Sequence, residues 1–165
     1  MSELLRAEGL RKSFGTVEAV RGVDLMLEEG ESLSMVGRSG SGKSTVLHLL
    51  AGLESPDAGH ILYRGKDMAG LNEDALALWR RHEVGLVFQA FHLIPTLSAV
   101  ENVTFPLYPE RVPSKQRYKL AMERLEQVGL AERASHRPAE LSGGEQQRVA
   151  IARALIHQPS LVLAD

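Results

Sequence analysis

The sequence predicts an α/β fold in which a parallel core carries a glycine-rich loop and is joined by an N-terminal antiparallel β subdomain and a helical subdomain. Three observations lead to this prediction. Short apolar runs typical of buried parallel strands occupy residues 33–36, 84–88 and 161–164. A glycine-rich turn and a helical pattern follow the first run. Strand-like pieces alternate with turns before it, which favours a small antiparallel sheet.

The N-terminal half divides into elements at its turn residues. Strands are predicted at residues 4–7, 17–27 and 60–63, with turns at 28–31 and 55–59. The helix after the glycine-rich turn should end at Gly52, a suitable C-cap. Asn72 is expected to cap the next helix, whose apolar face consists of Ala75, Leu76 and Trp79. Trp79 is expected to pack rather than to act chemically.

The second half, between Gln89 and Asp165, has a mainly helical pattern. Ser98 and Glu101 have the spacing of a capping box, and Ser114 is expected to cap a further helix. We therefore predict one domain over residues 1–165. Its parts are a β subdomain with the loop-bearing core (1–89), a helical subdomain (90–157) and a return to the core strand (158–165).

The glycine-rich run Gly37-Arg38-Ser39-Gly40-Ser41-Gly42-Lys43-Ser44-Thr45 lies between an apolar strand pattern and a helical pattern, as a phosphate-binding loop does. Its glycines allow the backbone N–H groups to surround one anion, and the helix N-terminus adds its positive dipole end. The expected contacts come from Gly37, Ser39, Gly40, Gly42, Lys43, Ser44 and Thr45. Lys43 should reach the β- and γ-phosphates, and Ser44 should bind Mg²⁺. The alternative is a glycine-rich turn that fits the pattern by chance.

A second glycine-containing segment, Leu141-Ser142-Gly143-Gly144-Glu145-Gln146-Gln147, precedes another helical pattern. With the phosphate-binding loop upstream, it makes the chain resemble the ATP-binding cassette family, which carries an LSGGQ-like segment here. The resemblance implies a head-to-tail homodimer. In it Ser142, Gly143 and Gly144 of one nucleotide-binding domain contact the γ-phosphate held by the other. The alternative is an ordinary N-cap at Ser142.

Three further positions gain a role from the same resemblance. Asp165 ends an apolar run and would bind Mg²⁺ with Ser44, and Gln89 would touch the metal or the attacking water. Phe14 stands where the family often has a tyrosine that stacks on adenine, and a phenyl ring can still stack. The implied catalytic set is Lys43, Gln89, Asp165 and Ser142, with ATP and Mg²⁺ as ligands. Without the resemblance, Asp165 would be the end of a core strand, Gln89 a solvated strand end and Phe14 a core aromatic.

Residues 87–103, VFQAFHLIPTLSAVENV, resemble the branch of the family that serves lipoprotein release, macrolide export and cell division. Because this stretch surrounds Gln89, the resemblance implies that a membrane permease docks near residues 89–103. Four apolar residues there could form the docking patch, the subdomain core or a mixture: Phe91, Leu93, Ile94 and Leu97.

Composition excludes several classes of protein. A net charge of −2 gives no reason to expect nucleic acid as a partner, and the absence of cysteine excludes disulfides and cysteine-ligated zinc. No apolar run reaches the ~18 residues of a membrane span, and no signal segment is recognisable. We expect a cytoplasmic protein that is peripheral on the inner face of the membrane through its permease.

The family's general base, D-loop and switch histidine would follow Asp165, so we expect the chain to be C-terminally incomplete and deficient in hydrolysis. Loss of a base alone costs ~10²–10⁴-fold in rate. Three functions therefore stay open. The chain is an ATP-hydrolysing transporter subunit, a hydrolysis-deficient binding switch or assembly subunit, or a soluble cassette ATPase outside transport.

Overall fold

The computed structural model describes residues 2–165, along which six β-strands and five α-helices occur. The strands are β1 (Glu3–Phe14), β2 (Val17–Glu28), β3 (Ala58–Tyr63), β4 (Lys66–Asp67), β5 (Val84–Val87) and β6 (Leu161–Ala164). The helices are α1 (Lys43–Leu50), α2 (Glu73–Glu83), α3 (Ala99–Thr104), α4 (Ser114–Gln127) and α5 (Gly143–Ala154). Short 3₁₀ turns occupy Met68–Gly70, Phe105–Leu107, Ala131–Arg133 and Pro138–Glu140.

The chain forms two units, one of residues 2–80 together with Asp165 and the other of residues 81–164. The predicted borders of the helical subdomain, after residues 89 and 157, do not divide the chain into these two units. They stay predictions. No helix within residues 2–165 has both the length and the apolar character needed to cross a membrane.

In the first unit, a four-stranded antiparallel sheet has the order β2-β1-β3-β4. Leu5 of the interior strand β1 pairs with Leu27 of β2 on one side and with Tyr63 of β3 on the other. Leu5, Leu10 and Leu49 of α1 are fully buried, so the sheet and the helix after the glycine-rich loop both contribute to the core. The predicted antiparallel subdomain is confirmed.

In the second unit, β5 and β6 form a parallel pair in which Val84 faces Leu161. Gly85 allows the end of α5 to approach closely, because a Cβ there would lie 2.7 Å from the Ala154 carbonyl oxygen. Helices α3, α4 and α5 enclose the core of this unit. Its buried residues are Ala99, Val100, Val103, Leu107, Ala121, Leu125, Leu130, Ala134, Leu141, Val149, Ala152 and Ile156.

Several predicted local features are confirmed. The side chain of Asn72 accepts a hydrogen bond from the Ala75 N–H at the start of α2. Ser98 and Glu101 form the expected capping box of α3. Gly52, with φ of 63°, lies just beyond the C-cap of α1, and Trp79 packs edge-on against Tyr63 with ring centroids 5.3 Å apart.

Three predicted features are wrong. Residues 33–36 form no strand and belong to neither sheet of the described chain, and Val36 is 96% exposed. Ser114 is already helical, and Pro113 occupies the N-cap of α4 without a side-chain hydrogen bond. β6 is not buried on both faces, because Leu161 and Leu163 are buried whereas Val162 is 48% exposed.

Candidate functional site

The ammonium group of Lys43 is held over the glycine-rich loop by the loop's own oxygens. Lys43 Nζ donates to the carbonyl oxygens of Gly37 and Arg38, both at 2.9 Å, and to Ser41 Oγ at 3.3 Å. These contacts fix a positive charge at the first turn of α1. An anion at the loop would therefore meet an oriented cation.

The start of α1 is shaped for an anion rather than for a side-chain cap. Gly42 occupies the N-cap with φ of 87°, and no side chain caps the helix. A helix leaves its first N–H groups without intrahelical partners, and its N-terminus attracts negative charge. A Cβ at Gly42 would lie 2.3 Å from the Ala19 carbonyl oxygen of β2, so only glycine fits this backbone. Ser39 and Gly40 lie exposed in the turn before it.

Ser44 and Asp165 meet beside this loop. Ser44 Oγ donates a hydrogen bond of 2.9 Å to Asp165 Oδ1. Asp165 directly follows β6, as predicted for an acid at the carboxyl end of a parallel strand. A hydroxyl and a carboxylate oxygen are the hard ligands that Mg²⁺ prefers, so these two residues fit the metal that the resemblance implies.

Phe14 ends β1, and its side chain is 49% exposed. The ammonium of Lys12 lies 5.5 Å from the ring centroid. This exposure argues against a core aromatic and leaves a ring face on which a planar ligand could stack.

Ser142 caps α5 within a full capping box. The Ser142 N–H and hydroxyl donate to Glu145 Oε2 at 2.8 and 2.7 Å, and the Glu145 N–H lies 3.3 Å from Ser142 Oγ. Hydrogen bonds from the Ser142 backbone and then from its hydroxyl lower the pKa of Glu145 below its ordinary 4.5. Gly143 and Gly144 are exposed in the first turn. The capping interpretation of Ser142 is thus confirmed, and a role towards a second domain is compatible with it.

Gln89 lies exposed in the turn after β5. The structure brings together Lys43, Ser44 and Asp165 in the first unit, whereas Gln89, Ser142, Gly143 and Gly144 belong to the second. Thr45 is half-buried in the first turn of α1.

Sequence reasoning missed Arg153, which holds the loop after Gln89. Phe91 and His92 have positive φ values of 59° and 47°, a strained conformation for residues with side chains. The Arg153 guanidinium donates to their carbonyl oxygens at 2.6 and 2.7 Å. Burial lowers the pKa of Arg153 from its ordinary value. The only signal in the sequence was an arginine in a helix, which is too common to single out.

Asn102 was also missed, although it lies within the stretch that defines the branch resemblance. Its side chain is fully buried and accepts from the Ile94 N–H at 2.8 Å. It also donates to the carbonyl oxygens of Ile94, Leu97 and Ser98 at 3.0–3.1 Å. Asn102 therefore fixes the backbone of residues 94–98. Leu93 packs against the helical core, which fits the predicted mixture of core and surface roles.

Comparisons with known proteins agree with this geometry. The family model described as ABC transporter matches residues 20–165. The lipoprotein-releasing system ATP-binding protein LolD of Bacteroides fragilis is 47% identical over 162 residues, 98% of this chain and 75% of that protein. LolD of Geobacter metallireducens is also 47% identical, over all of this chain and 75% of its own length. An uncharacterized ABC transporter ATP-binding protein of Thermotoga maritima is 49% identical over 90% of this chain and 64% of its own.

Solved structures give the same result. The dimeric ATP-binding cassette MJ0796 bound to ADP and Pi superposes with a TM-score of 0.90 at 40% identity, over 98% of this chain and 73% of that one. A second dimeric structure of MJ0796, described as a bacterial ABC transporter cassette, superposes with a TM-score of 0.91. The predicted fold, a phosphate-loop core with antiparallel and helical parts, is confirmed.

Proposed function

Because the chain belongs to the ABC transporter family, we propose that it is the ATP-binding subunit of a transporter and couples ATP binding and hydrolysis to a membrane permease. The observation that carries the proposal is the arrangement of the glycine-rich loop, where Lys43 is fixed over the loop and Ser44 meets Asp165. A cation and a pair of oxygen ligands at one helix N-terminus suit a nucleoside triphosphate with its metal.

Each residue of this site has a distinct role in binding. The N–H groups of the loop and the Lys43 ammonium bind the phosphates, and Phe14 provides the ring face for adenine. Ser44 and Asp165 would hold Mg²⁺, which would supply positive charge next to the phosphates. The Ser44–Asp165 hydrogen bond keeps these two oxygens next to each other.

The partner across the nucleotide is a second copy of the domain, arranged head to tail. The exposed Gly143 and Gly144 in the first turn of α5 would present N–H groups to the γ-phosphate bound by that copy. The dimeric state of the two MJ0796 structures supports this proposal.

The permease docks near residues 89–103, on the cytoplasmic side of the membrane. Arg153 and Asn102 support this proposal, because both give a fixed shape to a surface loop that makes a strained turn at Phe91 and His92. Rigid presentation of a loop lowers the entropic cost of binding a partner. Among the branches of the family, the LolD relatives favour lipoprotein release.

ATP-dependent dimerisation tests this function. Lys43→Ala should abolish ATP affinity, and Lys66→Ala, at an exposed position in β4, serves as the control. Ser142→Arg should leave ATP binding by the monomer intact and prevent the ATP-induced dimer seen by light scattering. Unchanged ATP binding by Lys43→Ala would contradict the phosphate-binding role. A persistent dimer in Ser142→Arg would contradict the head-to-tail arrangement.

Permease docking needs a separate test. Pro95→Arg and Thr96→Arg alter exposed positions in the loop and should reduce association with membranes that contain a lipoprotein-releasing permease. ATP affinity should not change. Lys119→Glu on α4 provides the control. Association unaffected by the loop variants would place the docking surface elsewhere.

A further inference from the structure

Three side chains from distant parts of the sequence converge in the second unit, and none of them belongs to the site described above. They are His82 near the end of α2, Glu110 after the 3₁₀ turn Phe105–Leu107, and His157 between α5 and β6. One ligand atom from each lies within 4.8 Å of the other two. Glu110 Oε1 is 3.6 Å from His82 Nδ1 and 3.5 Å from His157 Nδ1.

The central oxygen of this group has no hydrogen-bond partner. Glu110 Oε1 is buried and unsatisfied, although two imidazole nitrogens face it. Separations of 3.5 and 3.6 Å are too long for good hydrogen bonds to a carboxylate. A buried carboxylate oxygen without a partner is unfavourable, and a positive charge between these three ligand atoms would stabilise it.

The tautomer of His157 supports this interpretation. Its Nε2 lies 3.3 Å from the Pro106 carbonyl oxygen, which can only accept. In the neutral ring Nε2 therefore carries the proton, and the lone pair of Nδ1 points towards Glu110. Metal-bound histidines have this arrangement, in which the second nitrogen donates to a carbonyl group and so fixes the ring.

The spacing fits a tetrahedral ion. Bonds of about 2.0–2.2 Å to Zn²⁺ separate neighbouring ligand atoms by about 3.3–3.6 Å in a tetrahedron, and both distances from Glu110 to the histidines lie in this range. We propose that His82, Glu110 and His157 form a binding site for a divalent transition-metal ion, with Zn²⁺ as the best-fitting member. Two imidazole nitrogens favour such an ion over Mg²⁺ or Ca²⁺, which prefer oxygen.

The fourth position of the ion is open to solvent. The His157 side chain is only 10% exposed, whereas that of His82 is 46% exposed, so water reaches the group from the His82 side. Binding ties the end of α2 to the segments around Glu110 and His157. Because the unfolded chain does not bring these three residues together, the ion should raise the unfolding temperature.

Isothermal titration of the untagged chain with Zn²⁺ tests the site. The protein is first treated with EDTA, and excess Mg²⁺ then occupies the oxygen ligands at Ser44 and Asp165. We expect one ion per chain, with binding at least about tenfold weaker in Glu110→Gln and His157→Gln because each loses one of three ligands. His60→Gln is the matched control, since His60 pairs with Asp67 at 2.9 Å but has no third ligand among the described residues.

A further variant distinguishes the loss of a metal ligand from misfolding of the protein. His82→Asn changes the most exposed ligand and should weaken Zn²⁺ binding while the circular dichroism spectrum stays that of the parent chain. Co²⁺ in place of Zn²⁺ should give the visible absorption of a tetrahedral site, which His82→Asn should diminish. No binding by the parent chain, or equal binding by the parent, His82→Asn and Glu110→Gln, would overturn the proposal.

Discussion

The hydroxyl of Ser44 donates a hydrogen bond of 2.9 Å to the carboxylate of Asp165, although 121 positions separate the two residues in the sequence. One residue begins the helix after the glycine-rich loop, and the other follows the last strand. Their contact gathers two hard oxygen ligands at the point where Lys43 provides a positive charge. A metal ion held there would be bound by one neutral hydroxyl oxygen and one charged carboxylate oxygen.

Ser44→Ala should therefore weaken ATP binding only when Mg²⁺ is present. Loss of an interaction with a charged group costs about 1.5–3 kcal/mol, which corresponds to a decrease in affinity of about ten- to a hundredfold. Titration with a fluorescent ATP analogue, in Mg²⁺ and then in EDTA, measures the difference. Ser34→Ala, at an exposed position before the loop, is the control. An equal loss of affinity in EDTA would show that Ser44 acts without the metal.

The glycine-rich loop could be predicted because it is short and local, whereas the pairing of Ser44 with Asp165 followed only from the family resemblance. The loop needs glycines and one lysine in a row, and the aspartate needs only the end of an apolar run. The same holds for the capping boxes at Ser98 and Ser142, which span four residues each. Such patterns can be recognised without knowledge of the tertiary structure.

Long-range contacts could not be predicted in this way. Arg153 contacts Phe91 and His92 across about sixty positions, and nothing in the pattern around Arg153 indicates that partner. The strand predicted at residues 33–36 failed for the same reason, since an apolar run becomes a strand only beside a neighbour. The cluster of His82, Glu110 and His157 also depends on the folded chain.

Gly42→Ala should destabilise the protein more than Gly40→Ala. Both glycines have positive φ, which costs another residue about 1–2 kcal/mol. A Cβ at Gly40 meets open space, whereas at Gly42 it would lie 2.3 Å from the Ala19 carbonyl oxygen and force the backbone to shift. Thermal unfolding without nucleotide measures the difference. Equal unfolding temperatures for the two variants would contradict the close contact with β2.

Asn102→Ala should be among the most destabilising substitutions in the second unit. The substitution removes the hydrogen-bond partner of one N–H and three carbonyl groups in residues 94–98. Because these buried groups are left without partners, the free energy of unfolding should fall by about 3 kcal/mol. The unfolding temperature should fall by about 6–12 °C. Asn72→Ala removes an exposed helix cap and should cost about 1 kcal/mol. Similar losses in the two variants would mean that the loop does not depend on Asn102.

Glu145 should make stability fall at acid pH. Hydrogen bonds from Ser142 lower its pKa below the ordinary 4.5, so the unfolded chain binds this proton more readily than the folded one. The stabilisation of the folded state by the ionised Glu145 is complete above pH 4.5. It is lost as the pH falls through the lower pKa that Glu145 has in the folded state. Glu145→Gln keeps the shape of the capping box without the charge, so the stability difference between parent and variant should shrink on acidification. Urea unfolding at a series of pH values measures this difference, with Glu126→Gln on α4 as the control. Parallel curves of the free energy of unfolding against pH for the parent and Glu145→Gln would contradict the prediction.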